Sequence, residues 1–221
     1  MSADVNGDGN DDFIVGAPGA DPNGLTDAGS VYVYSGITGS LLHQVNGTGS
    51  GDRLGGSAGM SADVNGDGND EFIVGAPGAE VNGLADAGAV IVFSGQDGLP
   101  LFEKDGSAAG DRLGGSAGMF DESEGGPVNF LVGAPGADPG GLADAGSAFV
   151  YRVIFKGDLN GDGALTPIDV ILLLDCTFLG IGSCPLSVAD VDCDGSLVSP
   201  ADITVLLDAV FLGIPITCSS L

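Results

Sequence analysis

The chain has 221 residues and a formal net charge of −26, from 31 acidic residues against five lysines and arginines. This charge argues against nucleic acid and anionic membrane surfaces as partners, because both would repel the chain. No apolar run approaches the roughly 20 residues needed to span a bilayer, so we expect no membrane insertion.

An Asp-rich loop opens the chain and is repeated. The segment Asp4–Pro18 is repeated almost identically at Asp63–Pro77, and a degenerate third copy runs from Asp121 to Pro135. Each copy sets oxygen-bearing side chains at alternate positions and continues into a short apolar strand and a Gly-Ala-Pro turn. Such a loop suits calcium, which takes about six to eight oxygen ligands. The alternative is a set of Asn/Asp turns that need no metal.

The phenylalanines Phe13, Phe72 and Phe130 repeat at spacings of 59 and 58 residues, which is typical of stacked repeats. One unit, roughly residues 36–94, contains four predicted strands separated by Gly, Asp and Asn turns. These strands are Leu41–Val45, Gly55–Met60, Glu71–Gly75 and Ala89–Phe93. Four strands make up one propeller blade, so we predict a mostly β domain over residues 1–153 with about two and a half blades, an incomplete ring.

Three motifs of this region resemble the FG-GAP repeat of integrin α-chain β-propellers. They are the Asp-x-Asn-x-Asp-Gly-x-x-Asp loop, the strand Phe-Ile-Val-Gly-Ala-Pro and the strand Gly-Ser-Val-Tyr-Val-Tyr-Ser-Gly. Asp52–Ser57 and Asp111–Ser116 are similar to the FG half of that repeat, with Leu-Gly in place of Phe-Gly. The resemblance covers about two thirds of the chain and implies blades of a propeller type that usually closes with about seven.

The loop pattern of this repeat assigns one calcium site to each intact copy. The predicted ligands are Asp4, Asn6, Asp8, Asn10 (through its carbonyl) and Asp12 in the first loop, and Asp63, Asn65, Asp67, Asn69 (through its carbonyl) and Glu71 in the second. The third copy has lost the carboxylate at the fifth position and the glycine after it. We expect it to bind calcium weakly or not at all.

A different duplication begins at Asp158 and defines a second predicted domain, residues 154–221. Its first loop, Asp158–Asp169, has oxygens at positions 1, 3, 5 and 12 and glycine at position 6, as in an EF-hand-type loop, with Asp replacing the final Glu. The second loop, Asp190–Asp202, repeats this pattern with one extra residue. Each loop leads into a predicted helix that starts with a Ser/Thr N-cap, a proline and an acid at the third position.

Two loop–helix units without entering helices resemble a dockerin module, which binds cohesin domains in cellulosome-type assemblies. The predicted calcium ligands are Asp158, Asn160, Asp162, Ala164 and Asp169 in one loop, and Asp190, Asp192, Asp194, Ser196 and Asp202 in the other. The last carboxylate of each loop is also a candidate helix cap, and the two roles are compatible. The resemblance implies apolar partner contacts at Pro167, Ile168, Pro200 and Ala201, unless these residues only start the helices.

All four cysteines, Cys176, Cys184, Cys193 and Cys218, lie in the last fifth of the chain. An even number in a small, calcium-loop-rich segment favours disulfides and an extracellular or cell-surface setting, with four buried free thiols as the alternative. Three pairings are open, of which Cys176–Cys184 with Cys193–Cys218 is favoured by the short first separation. No signal peptide is visible, and the polar start Met1–Asp4 matches Met60–Asp63, so we expect upstream sequence or a partner to supply the missing part of the repeat.

No nucleophile–base pair can be assembled from the sequence. His43, the one histidine, lies in a predicted strand and fits a strand-face position better than a catalytic role. The clustered carboxylates are already assigned to metal loops, where a cation would hold them ionised. We therefore expect that the chain is not an enzyme.

The sequence predicts an extracellular, calcium-rigidified structural or adhesive protein that self-associates as an oligomer or filament through open blade edges and its C-terminal module. Up to four Ca²⁺ would take the net charge from −26 to −18. The predicted partners are other copies of the chain or upstream blades, and a cohesin-like domain. The alternative function is a dockerin-bearing component of a cohesin-scaffolded extracellular enzyme complex, with the catalytic domain outside this chain.

Overall fold

The computed structural model describes residues 3–60, 63–65, 67–121, 128–152, 159, 166–174, 189, 191 and 200–212. Contacts divide the chain into a larger unit of Met1–Asp63, Gly68–Phe120 and Val128–Arg152 and a smaller unit of Val64–Asp67, Asp121–Pro127 and Val153–Leu221. The predicted domains, 1–153 and 154–221, stay a prediction. The fold is mostly β, with antiparallel sheets and two α-helices of described bounds, which confirms the predicted fold class at this level.

The strands of the described residues form three antiparallel sheets. Sheet 1 contains β1 (Phe13–Ala17), β2 (Ser30–Tyr34) and β3 (Leu41–Asn46); sheet 2 contains β4 (Ser57–Met60), β5 (Phe72–Ala76), β6 (Ala89–Phe93) and β7 (Pro100–Asp105); sheet 3 contains β8 (Ser116–Asp121), β9 (Val128–Ala134) and β10 (Ser147–Arg152). Single 3₁₀ turns lie at Pro22–Gly24 and Pro139–Gly141. Within each sheet the strands are paired in chain order.

The four strands predicted for residues 36–94 all form, but their grouping was wrong. The strand at Leu41–Asn46 pairs with β2 of the preceding sheet, in the register Val33↔His43 and Val31↔Val45. A tight turn causes this pairing, since the Ser35 N–H donates to the Ser40 carbonyl at 2.9 Å and closes a β2–β3 hairpin. Among the described residues, sheet 1 therefore has three strands and sheet 2 has four, and the strand without a counterpart in sheet 1 is β4. The count of two and a half blades is not confirmed.

The two faces of each sheet are distinct. We call the face that carries Phe13, Phe72 or Phe130 face A, and the opposite face, which carries Ile14, Ile73 or Leu131, face B. Face B of sheet 1 packs against face A of sheet 2, where apolar side chains of both sheets form one core. The residues of that core from the two sheets include Ile14, Val31, Val33 and Val45, and Met60, Phe72, Val74 and Phe93. Each fully buried side chain of this size contributes about 1.5–3 kcal/mol.

A repeated aromatic contact connects neighbouring sheets. The His43 ring on face B of sheet 1 stacks against Phe72 with ring centroids 5.9 Å apart, and its Nε2 lies 2.6 Å from the Gly95 carbonyl oxygen. One period later, Phe102 on face B of sheet 2 contacts Phe130 of sheet 3 edge-on at 4.9 Å. His43 therefore occupies a strand-face position, as predicted, and takes part in packing between sheets.

Glycine in the Gly-Ala-Pro turn is required by close packing of adjacent sheets. A Cβ at Gly75 would collide with the carbonyl oxygen of Gly114, and Gly114 itself has φ +84°, which favours glycine. A Cβ at Gly16 would meet the carbonyl of Gly55 in the same way. The repeat motif thus reflects the backbone approach between one sheet and the next.

The smaller unit contains α1 (Pro167–Leu174) and α2 (Pro200–Leu212). Their buried side chains Val170, Leu173, Ile203 and Leu206 share one apolar core with the described neighbours Ala189 and Val191. Among the helices of the described residues, none has the length and apolar character needed to cross a membrane.

Candidate metal centre

The first Asp-rich loop is held in shape by its own side chains. The Asp4 carboxylate accepts the N–H of Asp8 at 3.0 Å and the N–H of Gly9 at 2.6 Å. Asn6 Oδ1 accepts the Asp8 N–H at 3.1 Å, and Asp8 Oδ1 accepts the N–H of Asn10 at 3.0 Å. These are side chain-to-backbone bonds of the Asx-turn type, which Asp and Asn form readily. The loop backbone is therefore curled around the alternate oxygens.

Asp12, the last predicted ligand of this loop, is buried and has a structural role. Its Oδ2 accepts the Val5 N–H at 3.0 Å, and its Oδ1 accepts the Gly36 N–H at 3.0 Å. The carboxylate thus connects the start of the loop with the β2–β3 turn. Both Asp12 oxygens therefore accept backbone N–H groups. Each hydrogen bond to a charged acceptor of this kind contributes about 1.5–3 kcal/mol.

The second loop has the same internal bonds and a different arrangement of carboxylates. The Asp67 N–H donates to Asn65 Oδ1 at 2.9 Å, and the Gly68 N–H donates to Asp63 Oδ2 at 2.9 Å. Carboxylate oxygens of Asp63, Asp67 and Glu71 lie within 4.8 Å of one another. Glu71 is fully buried, whereas Asp63 and Asp67 are exposed. Across the part of the chain that is described, no other three His, Cys, Asp or Glu side chains converge in this way.

This cluster fits a hard divalent cation. Three carboxylates supply negative charge and hard oxygen ligands, which calcium prefers, and carbonyl and amide oxygens of the same curled loop would complete a shell of about six to eight ligands. The convergence also brings like charges together, which is unfavourable without a cation. Asp63, Asp67 and Glu71 are therefore the residues best placed to hold the ion.

The two loops are joined by a pair of hydrogen bonds through a residue outside the predicted ligand sets. The Asp4 N–H donates to Asp70 Oδ2 at 2.8 Å, and the Asp70 N–H donates to the Asp4 carbonyl at 2.9 Å. Burial raises the pKa of Asp70, and the charges of Asp63 and Asp4 add to the effect. Asp70 lies between two predicted ligands and not at one of the alternate ligand positions, so the sequence pattern did not predict its role.

The pKa of Asp8 is shifted the other way, below its ordinary value of 3.8. Hydrogen bonds from Asn10, through both its backbone N–H at 3.0 Å and its Nδ2 at 3.1 Å, and from Asn6 favour the ionised form. In the first loop, nearby hydrogen-bond donors thus favour the ionised form of Asp8. In the second loop, three carboxylates lie close to one another.

The C-terminal ligand predictions lie largely outside the described residues. This applies to Asp158, Asn160, Asp162, Ala164, Asp190, Asp192, Asp194 and Ser196, to all four cysteines, and to residues 122–127 of the third loop. Pro167, Ile168 and Ala201 are exposed at helix starts, and Pro200 begins α2.

Asp169 and Asp202 are both buried at the first turn of their helices. Asp169 Oδ1 accepts the Leu159 N–H at 2.9 Å, and its Oδ2 accepts the Thr166 N–H at 2.8 Å and the Thr166 hydroxyl at 3.0 Å. The predicted capping role of Asp169 is therefore present in the structure, since its carboxylate accepts the N–H and the hydroxyl of Thr166. Its predicted role as a metal ligand stays a prediction.

Comparison with known families identifies the repeats. The family model described as "FG-GAP repeat" matches residues 1–34 and 55–93. These are FG-GAP repeats. The matches cover β1 and β2 of sheet 1 and β4 to β6 of sheet 2, together with both intact loops. The resemblance drawn from the sequence is confirmed for this part of the chain, while no comparison shows a dockerin-like module.

Curated relatives lie in the same region. The chain is 32% identical over 148 residues to a phosphatidylinositol-glycan-specific phospholipase D of Rattus norvegicus, covering 61% of this chain and 17% of that protein. The Mus musculus protein of the same name is 32% identical over 146 residues, with 61% and 16% covered. The chain thus spans about one sixth of the length of these relatives.

Among solved structures, a Bacillus licheniformis rhamnogalacturonan lyase matches with a TM-score of 0.41 and 16% identity, covering 73% of this chain and 34% of that one. The prediction that the chain is not an enzyme is contradicted, because the curated relatives carry the names of enzymes. The lack of a recognisable nucleophile–base pair in this stretch does not exclude an enzyme. Repeats of this kind also occur within longer enzymes.

Proposed function

We propose that this chain is an extracellular calcium-binding FG-GAP repeat protein with a structural or adhesive role that assembles with further copies of itself. The observation that carries the proposal is the convergence of Asp63, Asp67 and Glu71 in the second loop. A calcium ion there would join the ends of a nine-residue loop that otherwise repels itself. The metal would thereby fix the entry of β5 into sheet 2.

The charge of the chain supports a role for cations throughout the molecule. With a net charge of −26, self-association meets strong repulsion, which bound calcium and screening by salt would reduce. Burial raises the pKa of Asp70, and the nearby charges of Asp63 and Asp4 add to this effect. Calcium is thus the expected cofactor, at up to four sites as the sequence indicates.

The C-terminal region is proposed as a dockerin-like module of residues 154–221, stapled by disulfides among its four cysteines. The buried carboxylates of Asp169 and Asp202, each in the first turn of its helix, support the loop–helix part of this proposal. The exposed Ile168 beside them supports an apolar contact with a cohesin-like domain. The hydrophobic core of so short a module is small, so bound calcium and disulfides would stabilise it. Each disulfide typically contributes about 2–4 kcal/mol.

A second candidate function follows from the relatives. Because phospholipase D proteins of rat and mouse contain a similar repeat region, this chain could supply such repeats to an extracellular enzyme or enzyme complex. Hydrolysis of phosphatidylinositol-glycan by the isolated 221-residue chain tests a catalytic role of this stretch directly. Turnover abolished by heat denaturation would favour the enzyme over the structural protein.

Isothermal titration with CaCl₂ after removal of bound metal, combined with sedimentation velocity, tests the main proposal. We expect two to four calcium ions per chain, as the loops predict, and a larger sedimentation coefficient in millimolar calcium than in chelator. Magnesium at equal concentration is the control, because it demands a smaller octahedral shell and keeps its water. Fewer than two bound ions, or a strict monomer in both conditions, would reject the proposal.

A further inference from the structure

The larger unit leaves an uncovered apolar face on each of its two outer sheets. On face A of sheet 1, Phe13 is 45% exposed and Val15 is 47% exposed. Their register partners Tyr34 and Tyr32 lie on the same face, and the rings of Phe13 and Tyr34 stack at 5.3 Å. The other face of this sheet is covered by sheet 2, so exposure is confined to face A.

Sheet 3 has the converse arrangement. On its face B, Leu131 is 49% exposed and its register partner Val150 is 63% exposed. On its face A, Phe130 and Val132 are fully buried. A cleft of about 350 Å³ borders Leu131 and Phe120, which gives face B of sheet 3 a recess of side-chain size.

Equivalent positions in the repeat show how a face of this kind is covered inside the molecule. Phe13 and Val15 are equivalent to Phe72 and Val74, one period of 59 residues later, and both of those side chains are fully buried against sheet 1. Face A of sheet 1 is thus the counterpart of a face that a neighbouring sheet covers completely.

The same comparison holds at the other end. Leu131 and Val150 are equivalent to Ile73 and Val92, 58 residues earlier, which are fully buried in sheet 2. They are also equivalent to Ile14 and Val33 of sheet 1. Face B of sheet 3 is therefore the counterpart of face B of sheet 1, which packs against face A of the next sheet.

We propose that face A of sheet 1 in one copy docks on face B of sheet 3 in a second copy, so that chains stack head to tail through a repeat of their internal sheet–sheet interface. This rests on the proposed self-association and adds the surfaces that carry it. The occupant is a second copy because this chain carries both halves of the interface on opposite outer sheets. Such an interface is heterologous, and it closes into a ring or continues as a filament.

Sedimentation velocity of the full chain in millimolar calcium tests the proposal with two single-face variants. Val15→Lys places a charge in face A, and Val150→Lys places one in face B. Each should abolish species larger than the 21.6 kDa monomer, while an equimolar mixture should give a 1:1 dimer, because each variant keeps one intact face. Leu99→Lys is the control, since Leu99 is 60% exposed in the turn between β6 and β7 and belongs to neither outer sheet.

The outcomes separate this inference from the proposed function. Assembly of wild type together with unchanged assembly of both variants overturns the docking surfaces and leaves self-association in place. Variants that are monomeric alone and also monomeric when mixed overturn the head-to-tail arrangement. A wild-type chain that is monomeric in calcium rejects the docking and the proposed self-association together. Dimer formation in the mixture also shows that both variants are folded.

Discussion

The two intact Asp-rich loops are nearly the same sequence and differ in what their carboxylates do. Asp4–Asp12 and Asp63–Glu71 agree at eight of nine positions, and only the last residue changes, from Asp to Glu. In the first loop that residue accepts the N–H groups of Val5 and Gly36. In the second loop it converges with Asp63 and Asp67. The last carboxylate of the first loop thus accepts two backbone N–H groups, and the last carboxylate of the second loop, one methylene longer, lies within 4.8 Å of two other carboxylates.

The alternate Asp and Asn pattern therefore specifies which oxygen atoms each loop offers. Which of them can meet around one ion depends on side-chain length and on the groups packed beside the loop. The shorter Asp12 side chain stays beside the backbone of the β2–β3 turn, whereas Glu71 extends one bond further. We therefore expect the second loop to bind calcium more tightly than the first.

The largest expected effect is on stability and concerns the first loop. Asp12→Ala leaves the buried Val5 N–H and the Gly36 N–H without their acceptor, so the free energy of unfolding should fall by about 3 kcal/mol. Urea unfolding measures it. Asp11→Ala, at the exposed neighbouring position, is the control and should change stability by less than about 0.5 kcal/mol. Equal losses in the two variants would contradict the structural role of Asp12.

The next effect is on metal affinity and concerns the second loop. Asp67→Ala removes one of three converging carboxylates, so the affinity of this site should fall about 100-fold, or about 2.8 kcal/mol. Calcium titration of Asp67→Ala beside Asp8→Ala, the equivalent change in the first loop, compares the two sites. If Asp8→Ala removed the tighter site instead, the assignment to the second loop would be wrong.

A smaller effect should follow from shortening the last ligand alone. Glu71→Asp keeps the charge and removes one methylene, which makes the second loop identical in sequence to the first. We expect about a tenfold loss of calcium affinity, or about 1.4 kcal/mol. The reciprocal Asp12→Glu is the matched variant and should destabilise the β2–β3 turn. Unchanged affinity in Glu71→Asp would show that side-chain reach does not distinguish the loops.

The smallest effect concerns Asp70 and appears as a pH dependence of the metal-free protein. Because its folded pKa is raised, its contribution to stability is fully present below the ordinary value of 3.8 and is lost as pH rises through the folded pKa. Asp70→Asn keeps an acceptor for the Asp4 N–H and should remove this part of the pH dependence, by less than about 1 kcal/mol because Asp70 still contacts water. Urea unfolding in chelator from pH 3 to pH 7 measures the difference. An unchanged profile would contradict it.

Much of the local structure could be predicted from the sequence. The Gly, Asp and Asn turns marked the limits of the four strands of residues 36–94, and the spacing of the phenylalanines gave the repeat. The Thr166–Asp169 pattern predicted a helix start, and in the structure the Asp169 carboxylate accepts the Thr166 N–H at 2.8 Å. The grouping of strands into sheets was not predictable in the same way, because composition places a strand without naming its partner. The short turn at Ser35–Ser40 decided that pairing.

The sequence by itself determined the repeat, the strands and the alternate oxygens, because these depend on spacing and side-chain chemistry within a few residues of one another. Only the tertiary structure decided which carboxylates converge, that Asp70 joins the two loops, and that one face of each outer sheet is left uncovered. The Asp4–Asp70 bonds and the uncovered faces depend on contacts between segments far apart in the chain, and the convergence depends on how one loop folds. Two loops of almost equal sequence therefore differ, since their last carboxylates meet different neighbours.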